Sequence, residues 1–168
     1  LMAYRAIPGL LVLRPADANE AVICSKIAFE NKERPSLVLL TRQGLPVLNR
    51  DIYPDVSNVE KGGYIISDCN NPDVMILATG SEVWVALDVK EKLSDFNIKV
   101  VNLVCWELFD EQNTDYKNKV LECNDSTLIV SVEAGITNGW QKYTGRNGLN
   151  IGIDTFGESA PGKEVANH

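Results

Sequence analysis

The first fifty or so residues carry two apolar runs separated by one amphipathic segment. Residues 10–14 and 37–40 are short apolar runs, and each predicts a β-strand. Between them Asp17 stands three residues before Glu20, the spacing of a capping box, which predicts a helix over 18–31. One face of that helix would carry Ala21, Cys24, Ile27 and Ala28. This order predicts a β-α-β unit with two parallel strands.

The second of these strands, 37–40, is apolar at every position. That pattern is typical of a strand buried on both faces, which needs neighbouring strands and helices that about fifty residues do not supply. We therefore expect the chain to begin inside a domain whose earlier strands precede Leu1.

Residues 44–61 combine prolines with alternating charges and show no clear period, so they predict a linker between domains. The strands predicted after it, 64–67 and 74–78, are joined by the short loop 68–73. So short a loop favours antiparallel pairing of the two strands.

Strands and helices then alternate to the end of the chain. Further strands are predicted at 98–104, 127–132 and 150–153, and helices at 82–95, at 114–121 with Thr114 as N-cap, at 136–143 and from about Pro161. The buried stripe of the first of these helices would be Val83, Ala86, Leu87 and Leu93. The alternation predicts a doubly wound, mostly parallel α/β domain with one antiparallel strand.

Charge and hydropathy exclude several classes of partner. The net charge is −7 at pH 7, and Lys and Arg form no cluster, which argues against nucleic acid or an anionic membrane surface. No apolar run is long enough to cross a bilayer, and the start has no signal-peptide pattern. We expect a cytoplasmic protein, with an organelle such as a plastid as the alternative.

The cysteines and the single histidine limit the kinds of active site that the chain could contain. The four widely spaced cysteines predict free thiols rather than a disulfide framework or a zinc site. The one histidine is His168, so a histidine-based triad, zinc centre or general base has no second histidine in this sequence. Any acid–base groups would be carboxylates or lie outside the chain.

Arg42 is the main candidate for binding. It follows the predicted strand 37–40, and ligands of open α/β sheets bind outside the carboxyl ends of the strands. A guanidinium there can hold a phosphate or carboxylate through two parallel hydrogen bonds. The alternative is an arginine that pairs with a structural carboxylate or is simply solvated.

Three other features are weaker candidates. The turn Gly80-Ser81 begins a helix and could hold an anion, although Glu82 would compete for the same helix end. Glu133 follows a predicted strand and is expected to cap a helix or pair with an arginine. An aromatic group is expected in the core or an interface rather than as a stacking platform. Its members are Trp106, Phe109, Trp140 and Tyr143.

Seven segments of the chain resemble, in the same order, segments of the transketolases. They are Arg-Pro-Ala-Asp-Ala-Asn-Glu at 14–20, Leu-Thr-Arg-Gln at 40–43, Lys-Gly-Gly-Tyr at 61–64, Leu-Ala-Thr-Gly-Ser-Glu-Val at 77–83, Val-Glu-Ala-Gly at 132–135, Gly-Ile-Asp at 152–154 with Phe-Gly at 156–157, and Ser-Ala-Pro-Gly at 159–162. The resemblance implies that 1–48 is the incomplete end of a pyrimidine-binding domain, 49–61 a linker, and 62–168 the C-terminal domain with its last helix truncated.

The resemblance also implies an activity. Transketolases use thiamine diphosphate and magnesium to move a two-carbon ketol unit from a ketose phosphate to an aldose phosphate, and they act as homodimers. In this sequence the arginine that binds the substrate phosphate would be Arg42. The family's cofactor and metal ligands and its active-site histidines precede the segment that matches Leu1, so we expect this chain alone to be inactive. The segments near Lys99 and Glu122 look slightly shorter than in the family.

Two alternatives stay open at this point. The chain could belong to another thiamine-diphosphate enzyme, such as an oxo-acid dehydrogenase or a 1-deoxyxylulose-phosphate synthase. It could also be a non-catalytic assembly module that binds an anion at Gly80-Ser81, although an unaccompanied β-α-β unit at the start argues against an independent module.

Overall fold

The computed structural model describes residues 1–157 and builds them around two β-sheets. The helices are α1 (Met2–Arg5), α2 (Ala18–Glu30), α3 (Glu82–Lys92), α4 (Trp106–Asp110), α5 (Thr114–Val120) and α6 (Gln141–Thr144), with one 3-10 helix at Val56–Lys61. The strands are β1 (Leu11–Leu13), β2 (Ser36–Val38), β3 (Tyr64–Ser67), β4 (Val74–Ala78), β5 (Ile98–Asn102), β6 (Leu128–Val132) and β7 (Leu149–Ile151). The helix predicted near Pro161 and the segment 159–162 lie outside the described residues.

The β-α-β unit is confirmed, because β1 and β2 pair in parallel on either side of α2. The Asp17 side chain accepts a hydrogen bond of 2.8 Å from the backbone N–H of Glu20. The Glu20 carboxylate reaches back to the N–H of Ala16, also at 2.8 Å. The contacts therefore pair one donor that the first turn would leave unsatisfied, the N–H of Glu20, and the N–H of the residue just before the N-cap.

The predicted burial of the second strand on both faces is wrong for this chain. All three residues of β2 are only half-buried, and the side chain of Leu40 is 68% exposed. Within residues 1–157 the strand has one neighbour, β1, so its other edge is unpaired.

The larger sheet has the order β3-β5-β4-β6-β7. β3 runs antiparallel to β5, and the other pairs are parallel, so the predicted fold class is confirmed. Direct pairing of β3 with β4 is wrong, because β5 lies between them. β4 is apolar enough to take parallel partners on both sides, whereas the alternating burial of β3 suits an edge strand.

Several local predictions need correction. α5 is capped by Asn113 rather than by Thr114, because the Asn113 side chain accepts a 2.8 Å hydrogen bond from the N–H of Tyr116. Helix α4 was not predicted, and the helix predicted at 136–143 is reduced to α6. α3 ends before Leu93, whose side chain is 47% exposed.

The predicted linker packs closely on the rest of the chain. Leu48 and Val59 are buried in it, and its second half forms the 3-10 helix. The division into domains at 48 and 61 stays a prediction.

The aromatic group lies in the core, as expected. Trp106 and Trp140 meet edge-on with ring centroids 4.7 Å apart, and Phe109 is fully buried. All four cysteines carry free thiols, as expected. Among residues 1–157 there is no helix with the length and hydropathy needed to cross a membrane.

Candidate functional site

A crevice of about 330 Å³ opens where the carboxyl ends of β1, β2 and β4 come together. Two backbone hydrogen bonds hold these ends in place, from Gly80 N–H to the Arg14 carbonyl and from Arg14 N–H to the Val104 carbonyl, at 3.1 and 2.8 Å. This is the edge of an α/β sheet at which ligands bind. The crevice is lined by Leu1, Arg14, Pro15, Leu39, Leu40, Thr41, Gln43, Gly80, Ser81, Glu82 and Ala134.

Arg42 is not among the residues that line this crevice. Thr41 and Gln43 on either side of it contribute to the lining, and the Arg42 side chain is exposed. Within residues 1–157 its guanidinium makes no hydrogen bond or ion pair. Within the described part of the chain, Arg42 therefore forms no ion pair with a structural carboxylate.

The Gly80-Ser81 turn lines the crevice together with Thr41 and Gln43, the two neighbours of Arg42. At the turn, however, the polar groups are already used. The Ser81 hydroxyl donates to the Glu82 carboxylate at 2.5 Å, and the same carboxylate accepts from Arg14 and from the N–H of Ala134, each at 3.0 Å. Glu82 thus occupies the helix end for which it was expected to compete.

Behind the crevice lies a buried ion cluster, formed by Arg5, Arg14, Glu82 and Glu133. Arg5 donates two hydrogen bonds to the Glu133 carboxylate, at 2.7 and 2.8 Å. Arg14 bridges the two carboxylates, at 2.9 Å to Glu133 and 3.0 Å to Glu82. The four side chains are at most 12% exposed, and two positive charges balance two negative ones.

The centre of the buried ion cluster is Glu133. Burial raises the pKa of this carboxyl, but the hydrogen bonds and charges of Arg5 and Arg14 outweigh burial and hold the pKa below its usual range. The indole N–H of Trp140 adds a further hydrogen bond of 2.9 Å. The expected pairing of Glu133 with an arginine is confirmed, whereas Arg5 gave no sequence signal because α1 is only one turn long.

A second buried cluster joins α2 to the larger sheet. The Glu20 side chain is fully buried and accepts hydrogen bonds from the Tyr64 hydroxyl and, at 3.0 and 3.1 Å, from the Asn102 amide. Burial raises the pKa of Glu20, and the hydrogen bond from Tyr64 partly offsets that rise. Arg50 lies 3.2 Å from the Asp17 carboxylate in the same cluster.

Within residues 1–157 the crevice therefore has no unpaired carboxylate that could act as a general base. The charged groups of both clusters pair with one another, and these pairs join the segment 1–50 to the larger sheet. Among the residues that the structure describes, no group of three or more His, Cys, Asp or Glu side chains could hold a metal ion. Next to the crevice-lining residues Thr41 and Gln43, Arg42 carries an exposed guanidinium that pairs with no carboxylate within residues 1–157.

Comparisons with known proteins identify relatives over the whole chain. The family model described as the transketolase-like TK C-terminal domain matches residues 62–168. The transketolase of Aquifex aeolicus is 48% identical over 165 residues, which are 96% of this chain and 24% of that protein. The chloroplastic transketolase of Zea mays is 47% identical over 166 residues, again 96% of this chain and 24% of that protein.

A solved structure shows the same likeness in three dimensions. A transketolase variant from Pichia stipitis in complex with fructose 6-phosphate superposes with a TM-score of 0.90 at 36% identity, covering 99% of this chain and 24% of that one. The chain therefore spans about a quarter of the length of the relatives that it matches.

Proposed function

The chain belongs to the transketolase family, and from this we propose that it forms the C-terminal part of an enzyme that transfers a two-carbon ketol unit from a ketose phosphate to an aldose phosphate. The observation that carries the proposal is the family-model match to residues 62–168 together with relatives that cover nearly all of the chain. The alternative of another thiamine-diphosphate enzyme is not favoured, because the most similar relatives are all named transketolases.

Thiamine diphosphate and a divalent ion such as magnesium are proposed as the cofactors of the whole enzyme. The cofactor supplies the nucleophilic carbon for ketol transfer. Within residues 1–157 no three His, Cys, Asp or Glu side chains come together to hold a metal ion, and we assign neither cofactor nor metal ligands to this chain. Its part in the reaction is to bind and orient the phosphorylated end of the substrate.

Arg42 is the residue proposed for that role. Its guanidinium is exposed at the carboxyl end of the β-α-β unit, and no carboxylate within residues 1–157 competes for it. A phosphate ester offers oxygens in the geometry that a guanidinium binds with two parallel hydrogen bonds. The Pichia stipitis relative was solved with a sugar phosphate, which is the same class of ligand.

The buried ion cluster supports this role indirectly. Arg14 lies in the wall of the crevice and is fixed by Glu82 and Glu133. Because Arg14 also accepts the backbone hydrogen bond of Gly80, the turn after β4 is held against the end of β1. The segment that carries Arg42 therefore borders a wall that is rigidly built.

We expect Arg42→Ala to weaken the transition-state binding of phosphorylated substrates by roughly 1.5–3 kcal/mol, the scale of a charged hydrogen bond. A suitable enzyme is a chimaera in which this chain replaces the matching quarter of the Aquifex aeolicus transketolase. Its kcat/KM would be measured for transfer from xylulose 5-phosphate to ribose 5-phosphate, and for donors and acceptors without phosphate.

The matched control is Arg34→Ala, because Arg34 precedes β2 and pairs with Glu111 on the surface. This control should leave kcat/KM nearly unchanged, and unphosphorylated substrates should be insensitive to Arg42→Ala. Equal losses on both substrate classes would make Arg42 a structural residue. A folded chimaera without ketol transfer would contradict the proposed function itself.

The proposals about oligomeric state and cellular compartment rest on family membership alone. We propose a homodimer for the whole enzyme. We propose the cytoplasm as its compartment, with the plastid as the alternative, since the similar Zea mays protein is named chloroplastic and the Aquifex aeolicus protein is bacterial.

A further inference from the structure

A second pocket, of about 600 Å³, lies at the opposite edge of the larger sheet from the crevice. It is formed at the amino ends of β4, β5 and β6, and none of its residues belongs to the two buried clusters. Its lining consists of Ile65, Asp68, Cys69, Asn70, Asn71, Pro72, Lys99, Lys119, Glu122, Cys123 and Asn124. We call it the amino-edge pocket.

Lys99 is the unusual residue of the amino-edge pocket. It lies on the inner strand β5, and only 3% of it is exposed. Its ammonium donates one hydrogen bond of 3.0 Å to the Glu122 carbonyl. An ammonium carries three donors, and within residues 1–157 no carboxylate lies within ion-pair distance of this one. A buried charge without a counter-ion is expensive, so an anion bound beside Lys99 would stabilise it.

The other groups around the pocket fit a small anion. Lys119 supplies a second positive charge from the exposed rim. Three amides that can donate hydrogen bonds also line the pocket, those of Asn70, Asn71 and Asn124.

The pocket also contains two carboxylates, Asp68 and Glu122. Both residues are exposed, so water solvates their charges, and Asp68 accepts a 3.0 Å hydrogen bond from the N–H of Cys69. Neither carboxylate forms an ion pair with Lys99 in the described part of the chain. Among the described residues that line the pocket, the one buried charge is therefore positive, and burial makes it the charge that most needs a partner.

We propose that the amino-edge pocket binds a small oxyanion, either free phosphate or the phosphate group of a monoester, with Lys99 as its buried counter-charge. A purely structural role for Lys99 would be to satisfy the Glu122 carbonyl just beyond α5. That role uses one donor of three, and a neutral side chain could fill it without burying a charge.

The test is titration calorimetry of the full 168-residue chain with inorganic phosphate and, in parallel, with ribose 5-phosphate. Saturable binding is expected, and the tighter of the two ligands identifies the source of the oxyanion. Lys99→Met should weaken binding at least about tenfold, the scale of a lost charged hydrogen bond. Lys92→Met on the exposed surface of α3 should bind as the unaltered chain does.

Thermal unfolding separates binding from a structural role. Phosphate should raise the Tm of the unaltered chain, since a ligand that binds only the folded state stabilises it. Without ligand, Lys99→Met should unfold at the same or a higher temperature, because an apolar group replaces an unpaired buried charge, and phosphate should no longer raise its Tm.

The proposal would be overturned by an absence of saturable binding, by equal binding to Lys99→Met, or by binding that Arg42→Ala removes. The last result would place the oxyanion at the crevice instead. If Lys99→Met does not fold, the affinity of Lys119→Met for phosphate tests the proposal instead, because Lys119 lies at the exposed rim of the pocket. A several-fold loss of affinity in that variant supports the site, and unchanged affinity contradicts it.

Discussion

Glu133→Gln will lower the free energy of unfolding by about 3–5 kcal/mol, the loss seen when one partner of a buried ion pair is removed. Glutamine keeps the shape of the side chain but removes the charge that faces Arg5 and Arg14. Arg14 retains Glu82, whereas Arg5 loses its only carboxylate partner in the described part of the chain. Urea denaturation followed by tryptophan fluorescence measures the effect, since Trp140 is bonded to the altered group.

The control for this change is Asp88→Asn. Asp88 pairs with Lys92 one turn along α3, and both side chains are more than half exposed. Exposed pairs at this spacing contribute about 0.3–0.5 kcal/mol, so Asp88→Asn should change stability by no more than that. If the two variants lose equal stability, the buried ion cluster does not hold the fold together.

The pKa of Glu133 also predicts how the free energy of unfolding changes at acidic pH. The pKa of Glu133 is lower in the folded chain than its ordinary value of 4.5. Its contribution is therefore fully present above that ordinary value and is lost as the pH falls through the folded-state pKa. The stability difference between the unaltered chain and Glu133→Gln should shrink on acidification. The raised pKa of Glu20 acts with the opposite sign, and it is common to both proteins.

Gly62→Ala will also destabilise the chain by about 2–5 kcal/mol, combining the strain of a left-handed backbone with overpacking. Gly62 ends the 3-10 helix at φ +78°. A Cβ added there would lie closer than 3.0 Å to the backbone N of Phe109 and the carbonyl O of Cys105, neither of which can rotate away. The same residue accepts a 2.8 Å hydrogen bond from Cys105, so relaxing the clash would break a contact.

Gly9→Ala provides a matched control for that prediction. Gly9 has φ +77°, almost the same conformation, but no atom lies within 4 Å of an added Cβ. It should therefore show only the backbone strain of about 1–2 kcal/mol. Thermal unfolding of the two variants isolates the steric part as their difference. Similar losses at both positions would mean that close packing around Gly62 contributes nothing.

Much of the fold could be predicted from local sequence. The helix that begins after Asp17 and its return contact from Glu20 depend on residues three or four positions apart. The parallel pairing of β1 with β2 follows from the helix between them, because such a crossover brings the second strand back in the same direction. That Arg42, which follows this strand, binds a ligand stays a prediction.

Strand order could not be predicted in the same way. A short loop between β3 and β4 fixes their opposite directions but not their adjacency. β5 enters between them because it is buried along its whole length and pairs with both, while β3 is left at the edge. Which strand takes the centre of a sheet depends on all the strands together, so a short stretch of sequence does not predict it.

The sequence alone determined the β-α-β unit, the alternation of the longer strands and helices after it, and the family to which the chain belongs. Only the tertiary structure decided which charges meet. Arg5 and Glu133 are 128 positions apart, and Lys99 contacts a carbonyl 23 positions away across the amino edge of the sheet. The reason is physical: backbone propensity acts over a few residues, whereas the energy of a buried charge depends on every group that packing brings beside it.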